Sequence, residues 1–488
     1  MISENHTRIT LTYNVNENDI HDMNMDYDNY YSHTNRNSCF CFAIKKQETY
    51  IAARDHLGIC PLFYTFTNND VHFSTNIIDL VDQNSELNDY GVRCFLGLGT
   101  TKNYPLFKDI FIVPSGSVVE INPTQQIVKT LYTYSFKLDD TSIKTNSFKN
   151  LTELFEKKFE RAMSRLITND EVGLYLSGGI DSGLISYYLK KSGVKVHAYT
   201  SLPWGVEGSE IQFAKENARL TDIYRHHIDT LDSTKYSLYL EEMLPKHKTL
   251  NGVSSSIAVS SLWHNTPIAE HTQIFGGQNA DTLFCGEKNQ YLPFFAQYFP
   301  HSLKKLLSYD KHFGSDNLIS QSICNRSHHI VNSDEHFNLP HSKTIDNNPL
   351  IQLGIAGMMI SNTPADSETL MGPCLAQKIT HSNPYYDMDL IEFCLQIPLK
   401  HRISFNKHSK IKLSLNKRVL QSLSEKHFPK NLIYRKKCFT VPMQAKDNEG
   451  KAFYNALPQS FDGIYLPDQE SRVAAKALQN FLNLLNKT

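Results

Sequence analysis

The feature that most constrains this chain is the hexapeptide Ser177-Gly178-Gly179-Ile180-Asp181-Ser182, placed between a strand-like and a helix-like segment. Its glycines let the backbone approach a ligand closely, and the start of the following helix offers unpaired N–H groups and a positive dipole end that suit phosphate. Ser177 and Ser182 add hydroxyl groups, and Asp181 can hold Mg²⁺, which prefers oxygen ligands. A tight turn with a helix cap is the alternative interpretation from turn chemistry alone.

Strand-like and helix-like segments alternate around this hexapeptide. Apolar residues recurring at spacings of three and four predict a helix over residues 151–166. From about residue 234 onward the chain reads as mainly helical, with a polar irregular insertion at 310–348. Alternation of this kind predicts an α/β fold with a parallel sheet and right-handed crossovers. The further segments are strands at 172–176, 194–200 and 223–228 and helices at 183–191 and 210–220.

The first 135 residues differ from the rest in being rich in short β-like runs. Residues 39–44, 49–53 and 62–64 have strand length and many aromatic and β-branched residues, with polar or Gly- and Pro-bearing stretches between them. Residues 136–147 are mostly polar and read as a linker. We therefore expect two domains, at residues 1–135 and 148–488.

Composition excludes several classes of function. The net charge is −1, whereas a general nucleic-acid or membrane-surface binder would show a basic excess. The sequence has no apolar run of about 18 residues or more, and it does not start with the basic and apolar regions of a signal peptide. The nine cysteines are scattered, which is typical of reduced thiols. We expect a cytoplasmic protein that binds neither nucleic acid nor a membrane.

Several segments resemble those of a known enzyme family. The hexapeptide resembles the pyrophosphate-binding SGGxDS loop of the ATP-pyrophosphatase superfamily, whose members split ATP between its α and β phosphates. Other segments are similar, in the same order, to those of class B asparagine synthetases, so the chain is identified as a member of that superfamily. Residues 54–64 match R-D-x-L-G-x-x-P-L-Y, and residues 106–116 match the closing hairpin of the N-terminal domain. In the second half, residues 277–281 match G-E-G-[SA]-D, residues 383–387 match R-x-P-F-L-D, and residues 435–437 match R-x-K.

The resemblance implies a fold and a set of site residues. The fold is α/β, with an N-terminal Ntn-hydrolase-like αββα sandwich and a C-terminal adenine nucleotide α-hydrolase-like parallel sheet with a helical extension. Asp181 and Asp281 would hold Mg²⁺, and Lys437 would neutralise charge on pyrophosphate and on the transition state. The nucleotide would contact Ser177, Gly178, Gly179, Asp181 and Ser182 in the loop, with adenine near Leu174, Tyr175, Thr200, Gly276 and Gly277.

The chain departs from this family at the glutaminase site. Class B asparagine synthetases use a cysteine at the mature N-terminus as nucleophile, whereas residue 2 here is Ile2 and the first cysteine is Cys39. The family's N-G-E segment, which holds glutamine, is missing too. The resemblance then implies a degenerate glutaminase domain, as in β-lactam synthetases, carbapenam synthetase and lasso peptide cyclases. Those enzymes close a ring with an amine already present in the substrate.

A second departure concerns the catalytic base. The position of Gln278 carries Glu in asparagine synthetases and Tyr in β-lactam-type enzymes, and a glutamine cannot usefully accept a proton near pH 7. Gln278 would instead orient the amine or bind the acyl-adenylate. Glu368 lies close to where β-lactam-type enzymes place a dyad glutamate, and a shift of two residues would move that role to Asp366.

The activity implied is ATP-dependent amide bond formation through an acyl-adenylate, with release of AMP and pyrophosphate. Because Gln278 differs from the Tyr of β-lactam formation, a macrolactam cyclase of the lasso peptide type, in antibiotic biosynthesis, is the first interpretation. Its substrate would be a small molecule or a peptide, with a precursor peptide and its processing protein as partners. The alternatives are β-lactam synthetase-like ring closure, an ammonia-dependent asparagine synthetase-like amidotransferase, and a non-catalytic protein that binds a nucleotide or a partner.

Overall fold

The structure is a computed structural model of the 488-residue chain. Of the residues discussed above, Ile2, the R-x-K match at 435–437 with its Lys437, and the insertion at 310–348 lie outside the described part of the chain. Residue Asp366 is described for its backbone only. The described residues are 7–13, 15, 26–34, 36–101, 104–201, 209–248, 250, 255–286, 358, 362–406, 412–415, 417–434, 448–466 and 469–485.

The N-terminal half contains two antiparallel sheets. Its strands are β1 (Thr7–Tyr13), β2 (Cys41–Lys46), β3 (Thr49–Arg54), β4 (Phe63–Thr67), β5 (Asp70–Ser74), β6 (Phe111–Ile112), β7 (Ser117–Asn122) and β8 (Ile127–Thr133). The larger sheet has the order β1-β2-β3-β7-β8 and the smaller one β5-β4-β6. The Tyr50 ring of β3 lies 5.4 Å from the Phe73 ring of β5, so the two sheets are in contact.

The central strands β2 and β3 explain why this half reads as continuous apolar runs. Residues of both strands are buried on both faces over most of their length, so apolar and polar positions do not alternate. The three strands predicted here are confirmed, with starts shifted by no more than two residues. A helix, Asp89–Leu98, lies in the chain between β5 and β6 and is capped by Asn88, whose side chain accepts from the Gly91 N–H.

The C-terminal half is organised around one parallel sheet. Its strands are β9 (Glu171–Tyr175), β10 (Lys195–Ser201), β11 (Arg225–Asp229), β12 (Gln273–Phe275) and β13 (Thr380–Ser382), in the order β11-β10-β9-β12-β13. Every pairing in it is parallel. After β9 the chain adds β10 and then β11 on one side of that strand. It then adds β12 and β13 on the other side of β9. This reversal is a topological switch point, where open α/β sheets bind ligands beyond the carboxyl ends of the strands.

Helices connect and cover these strands, which confirms the predicted α/β fold class and the three predicted helices before residue 221. Helix Phe148–Leu166 begins at Ser147, whose hydroxyl accepts from the Asn150 N–H. Its buried stripe includes Phe155 and Phe159. The other helices are Ile180–Lys191, Ser209–Leu220, Tyr236–Glu242, Ser255–Asn265, Ala280–Phe284, Asn362–Ala376, Met388–Gln396, Leu399–Arg402, Arg418–Ser424, Lys430–Ile433, Asn448–Asn455 and Gln469–Leu485.

The predicted linker at 136–147 runs between the two halves and is partly ordered. This segment contains a short helix, Thr141–Thr145, which begins at Asp140, and its Ile143 side chain is buried. The Asp140 N–H donates to Gln396 Oε1 at 2.9 Å, which ties the segment to the C-terminal half. The buried side chains of Phe136 and Ile143 dock the segment, and its mostly polar composition does not reveal them.

The two halves pack closely against each other. Helix Gln469–Leu485 packs on helix Asp89–Leu98, with the Phe107 and Phe481 rings 5.9 Å apart. The predicted domain limits, 1–135 and 148–488, stay a prediction, because apolar residues from both halves share the same core clusters. Among the described residues, no helix has both the length and the apolar character needed to cross a bilayer.

Candidate active site

The hexapeptide forms a compact turn between β9 and helix Ile180–Lys191, with Gly179 as the residue preceding the helix. The Ser177 N–H donates to Ser182 Oγ at 3.1 Å, and the two hydroxyl oxygens are also 3.1 Å apart. The Gly179 N–H donates to Ser177 Oγ at 3.3 Å. The hydroxyl groups therefore hold the turn in a shape that presents the start of the helix at the edge of the sheet, as phosphate binding requires.

A second loop follows β12 and lies against the first. A Cβ built on Gly277 would be 3.5 Å from the Ser182 nitrogen, so the two backbones are in contact. Asn279, the residue before helix Ala280–Phe284, has a left-handed conformation with φ of 73°, which asparagine tolerates better than most residues. Because β9 and β12 are neighbours, both loops lie at the switch point.

The two carboxylates predicted to bind Mg²⁺ are brought together, and a lysine that the sequence did not single out joins them. Lys417 Nζ lies 2.6 Å from Asp181 Oδ2 and 2.6 Å from Asp281 Oδ1. The lysine side chain is buried. Burial alone would lower the pKa of Lys417, but the charges of Asp181 and Asp281 outweigh it and hold the pKa above its usual value. The lysine is therefore cationic at all ordinary pH values.

Local backbone geometry fixes this ion pair. Lys417 precedes helix Arg418–Ser424 in a left-handed conformation with φ of 51°, and its N–H donates to the Phe284 carbonyl at 3.1 Å. A Cβ on Gly286 would lie 1.8 Å from Asp281 Oδ1 and 2.4 Å from Lys417 Cε, so only glycine fits. Left-handed non-glycine residues are uncommon and cluster at functional sites.

The donor set fits Mg²⁺ bound together with a nucleotide. Asp181 Oδ1 is buried and has no hydrogen-bond partner among the described residues, so one oxygen of this carboxylate is left for a ligand. Mg²⁺ is commonly bound by one or two carboxylates plus substrate phosphates and water. Within the described part of the chain, no group of three or more His, Cys, Asp or Glu side chains forms a closed metal cage.

The segment at 383–387 forms hydrogen bonds to both loops. Its sequence matched the family, but no role was assigned to it above. The Tyr385 hydroxyl donates to the Asp181 carbonyl at 3.1 Å. Asn383 Nδ2 donates to the Gln278 carbonyl at 3.0 Å, and Asn279 Nδ2 donates to the Tyr385 carbonyl at 2.8 Å. Each loop is thus fixed to the same short turn, Pro384–Tyr386, and this fixes the positions of Asp181 and Asp281 relative to each other.

The side chains predicted near adenine are engaged in the protein interior. Leu174 is fully buried in the core. The Tyr175 hydroxyl donates to the Leu370 carbonyl at 3.3 Å and accepts from Trp263 Nε1 at 2.9 Å. Thr200 Oγ1 donates to the Leu176 carbonyl at 2.5 Å. Their backbone groups are at the carboxyl ends of β9 and β10, so adenine contacts through the backbone stay a prediction.

Glu368 faces the N-terminal half. Its carboxylate accepts from the hydroxyls of Thr100 at 2.5 Å and Thr101 at 3.2 Å. It lines a small cavity between the halves, together with Phe63 and Met371. These contacts satisfy the carboxylate in a buried position, and its role as a base stays a prediction.

No signal in the sequence would have identified Lys417 as a site residue. It lies outside every matched segment, and it meets Asp181 only through the fold, 236 positions away. The lysine that the resemblance did select, Lys437, is outside the described residues. Its role therefore stays a prediction.

The segment at 54–64 is folded on itself in the N-terminal half. The Asp55 carboxylate accepts from the N–H groups of Leu57, Ile59 and Cys60. Arg54 is buried and donates to the Cys60 carbonyl at 2.8 Å. All seven cysteines of the described residues are buried as free thiols.

Comparisons with known proteins agree with this architecture. A family model described as "Asparagine synthase" matches residues 154–345, and one described as "Glutamine amidotransferase domain" matches residues 31–133. Together they match more than half of the chain.

Two curated relatives come from Bacillus subtilis (strain 168). The chain is 28% identical to "Asparagine synthetase [glutamine-hydrolyzing] 1" over 55% of its length. It is 23% identical to "Asparagine synthetase [glutamine-hydrolyzing] 3" over 82% of its length. The matches span 43% and 66% of the relatives' own lengths, less than two thirds in both cases.

A solved structure of an "NH3-dependent NAD synthetase" from Campylobacter jejuni is 16% identical and covers 38% of this chain and 95% of its own. Its TM-score of 0.21 is too low for the likeness to support any argument. The two family models, the curated relatives, the switch-point sheet and the paired loops agree with one another. The chain therefore belongs to the asparagine synthetase class B-like superfamily.

Proposed function

We propose that this chain catalyses ATP-dependent amide bond formation through an acyl-adenylate, with release of AMP and pyrophosphate. The observation that carries the proposal is the convergence of Asp181 and Asp281 on the buried amine of Lys417, at the carboxyl ends of adjacent strands β9 and β12. Two acids and a fixed cation beside a helix start are the groups that a polyphosphate needs.

Each part of the site has a separate task in this proposal. The turn at 177–182 offers backbone N–H groups to the phosphates. Mg²⁺ held by Asp181 and Asp281 would neutralise charge on the phosphate oxygens. Lys417 pairs with both acids before ATP binds and stays next to the phosphates afterwards, where its charge stabilises the departing pyrophosphate.

We further propose that the amine comes from the substrate itself, so that the product is a ring. Support comes from the N-terminal half, where every described cysteine is buried and offers no accessible thiol for glutamine hydrolysis. Arg54 and Asp55 are likewise engaged in holding their own loop. The N-terminal half then acts as a scaffold that supports the synthetase site.

The finer assignment is a macrolactam cyclase of the lasso peptide type, acting on a peptide. It is supported by Gln278, which replaces the tyrosine of β-lactam formation. Three alternatives are separated from this assignment by the experiment below. They are free ammonia as the amine, a β-lactam-type substrate, and nucleotide binding without chemistry.

Exchange of labelled pyrophosphate into ATP tests the proposal, because it reports acyl-adenylate formation independently of the amine. The protein is incubated with Mg²⁺, ATP and, in turn, a candidate precursor peptide, carboxyalkyl amino acids or aspartate. Exchange with one of them is expected, and Asp181→Asn should abolish it. Asp222→Asn is the matched control, since Asp222 is exposed and pairs with Lys190. ATP binding with no exchange for any carboxylate would contradict the proposal.

A further inference from the structure

We propose that Lys417 determines the form in which a divalent cation enters the site: it excludes the free ion and admits the ion only in complex with the nucleotide. This inference rests on the proposed function and deepens it, because it makes the metal–ATP complex the substrate that the site recognises. Mg²⁺ is commonly bound by one or two carboxylates together with the phosphates of a nucleotide. Asp181 and Asp281 are such carboxylates, and the group between them decides whether a free ion can bind.

The ammonium group of Lys417 lies between the two carboxylates. Its Nζ is 2.6 Å from Asp181 Oδ2 and 2.6 Å from Asp281 Oδ1, so one cation already bridges an oxygen of each acid. A metal ion that bridges the same two oxygens would have to displace the ammonium, because Mg²⁺ binds oxygen at about 2.0–2.1 Å. The lysine is therefore an internal counter-ion at the place of a bridging metal.

Charge opposes a free ion at this place as well. The ammonium cancels the charge of one of the two carboxylates, and it repels an approaching dication. The side chains of Lys417, Asp181 and Asp281 are 7%, 14% and 26% exposed. Salt and water therefore screen the repulsion less than they would at an open surface.

The lysine is held where it is by its backbone and by its neighbours. Its N–H donates to the Phe284 carbonyl at 3.1 Å, and its carbonyl accepts from the Gln421 N–H at 2.8 Å. A Cβ built on Gly286 would lie 2.4 Å from Lys417 Cε, so the chain at position 286 packs against the stem of the side chain. A free ion would thus have to displace a fixed ammonium group rather than a mobile one.

A metal–nucleotide complex meets different conditions at the same place. Asp181 Oδ1 is buried and has no hydrogen-bond partner among the described residues, so this oxygen is available to a cation that brings its other ligands with it. One oxygen is a weak site for a free ion, whereas a triphosphate supplies several of the ligands that Mg²⁺ needs. The phosphates also offer Lys417 new anionic partners. The lysine therefore favours the complex while it disfavours the free ion.

An ion pair with a purely structural role predicts a different behaviour. The loops are also held by the turn Pro384–Tyr386, for example through the bond from the Tyr385 hydroxyl to the Asp181 carbonyl. Without the ammonium, the carboxylates of Asp181 and Asp281 should stay close together and lack a counter-charge. Removal of one partner from a buried charge pair leaves an uncompensated charge, which a divalent ion can offset. A variant without the ammonium should therefore gain a site for the free ion.

Binding of Mn²⁺ to the full-length protein without nucleotide tests this expectation, measured by the enhanced relaxation of water protons around protein-bound Mn²⁺. Lys417→Met should bind Mn²⁺ about 10- to 100-fold more tightly than the unaltered protein, because the ion offsets part of the uncompensated charge. Lys417→Gln, which keeps a hydrogen-bond donor without the charge, should show the same gain. Lys426→Met is the matched control and should show no gain, since Lys426 pairs with Glu156 at the surface.

Two further measurements locate the ion and follow the nucleotide. Addition of Asp281→Asn to Lys417→Met should remove the gain, because one of the two acids then has no charge. In the unaltered protein, a non-hydrolysable ATP analogue should raise the Mn²⁺ relaxation signal above the sum of the signals with the analogue alone and with the protein alone. Neither measurement depends on turnover.

The results separate this inference from the proposed function. An unaltered protein that binds Mn²⁺ equally well with and without the analogue would overturn the inference, whatever the variants do. No gain in either Lys417 variant, with circular dichroism showing that both are folded, would overturn it too. Both results would leave the proposed function standing, because pyrophosphate exchange tests that function separately. If exchange fails with every carboxylate while Lys417→Met gains affinity for Mn²⁺, the proposed function falls and the exclusion of free ions by Lys417 stands.

Discussion

Lys417 Nζ lies 2.6 Å from the Asp181 carboxylate, although 236 positions separate the two residues in the sequence. The same amine reaches Asp281, so a buried cation is part of the apparatus that would bind ATP. Because both acids lie on loops at the switch point, this lysine connects the two loops electrostatically as well as through the fold.

Replacement of that cation should abolish adenylation. In Lys417→Met, two carboxylates face each other without a counter-charge, and the departing pyrophosphate loses a fixed positive group. We expect pyrophosphate exchange to fall by about 10²- to 10³-fold, comparable to the loss of a preorganised electrostatic group. Lys426→Met is the control, since Lys426 is exposed and pairs with Glu156 at the surface. Unchanged exchange in Lys417→Met would show that the ion pair is structural only.

Gly286 should be intolerant of even one methyl group. In Gly286→Ala the new Cβ would meet Asp281 Oδ1 at 1.8 Å, which forces the carboxylate away from Lys417. We expect exchange to be lost while the protein remains folded. Gly193→Ala provides the contrast, because Gly193 has φ of 76° and nothing within 4 Å of its Cβ position. That change should lower the melting temperature without affecting exchange, and equal exchange in the two variants would contradict the steric argument.

The contact between the halves depends on a buried ion pair. Arg36 NH2 lies 2.8 Å from Glu392 Oε2, with the two side chains 8% and 9% exposed, and the Tyr134 hydroxyl donates to Glu392 Oε1. Arg36→Met should leave an uncompensated buried carboxylate and cost about 3–5 kcal/mol in the free energy of unfolding. Denaturant unfolding measures this, and the double variant Arg36→Met/Glu392→Met should recover part of the loss. A single variant as stable as the unaltered protein would refute a buried ion pair at this position.

Acidification should destabilise the protein through its buried histidines. Burial lowers the pKa of His56 to about 3, and its Nε2 pairs with the Tyr31 carbonyl at 2.9 Å. Between that value and the unfolded pKa of about 6.5, the unfolded chain binds more protons than the folded one. The stabilisation is complete above pH 6.5 and is lost as pH falls, by up to about 1.4 kcal/mol per pH unit.

His56→Gln should flatten the pH dependence of the free energy of unfolding between pH 6.5 and 4. His72→Gln, at an exposed position, should leave the slope unchanged. The expected acid sensitivity is shared with His226 and His247, whose pKa values burial lowers to about 4. An identical slope in His56→Gln and the unaltered protein would mean that His56 is solvated in the folded state.

Much of the fold follows from local pattern in the sequence. The helix at 148–166 and the strands around the hexapeptide have a clear apolar periodicity and turn-forming residues at their ends. Their existence and order were therefore predictable. Strands β12 and β13 were not, because each is only three residues long and lies among helices. The short helix within 136–147 was not predicted, because the segment is mostly polar and only Phe136 and Ile143 of its side chains are buried.

The site was predictable only where a short motif carries it. Asp181 and Asp281 lie in matched segments, and the parallel sheet brings their loops together. Lys417 depends on packing between elements far apart in the chain, which no local pattern records. The Tyr385 hydroxyl is an intermediate case, since its segment was matched but its bond to the Asp181 carbonyl required the structure.

Identification of the nucleotide product tests the central claim most directly. ATP labelled in its α-phosphate is incubated with Mg²⁺, the protein and each carboxylate of the panel, and the labelled products are separated by chromatography. Cleavage between the α and β phosphates predicts labelled AMP with one substrate, abolished by Asp181→Asn and Lys417→Met. Labelled ADP instead of AMP, or AMP formation that survives both substitutions, would contradict the assignment of this site.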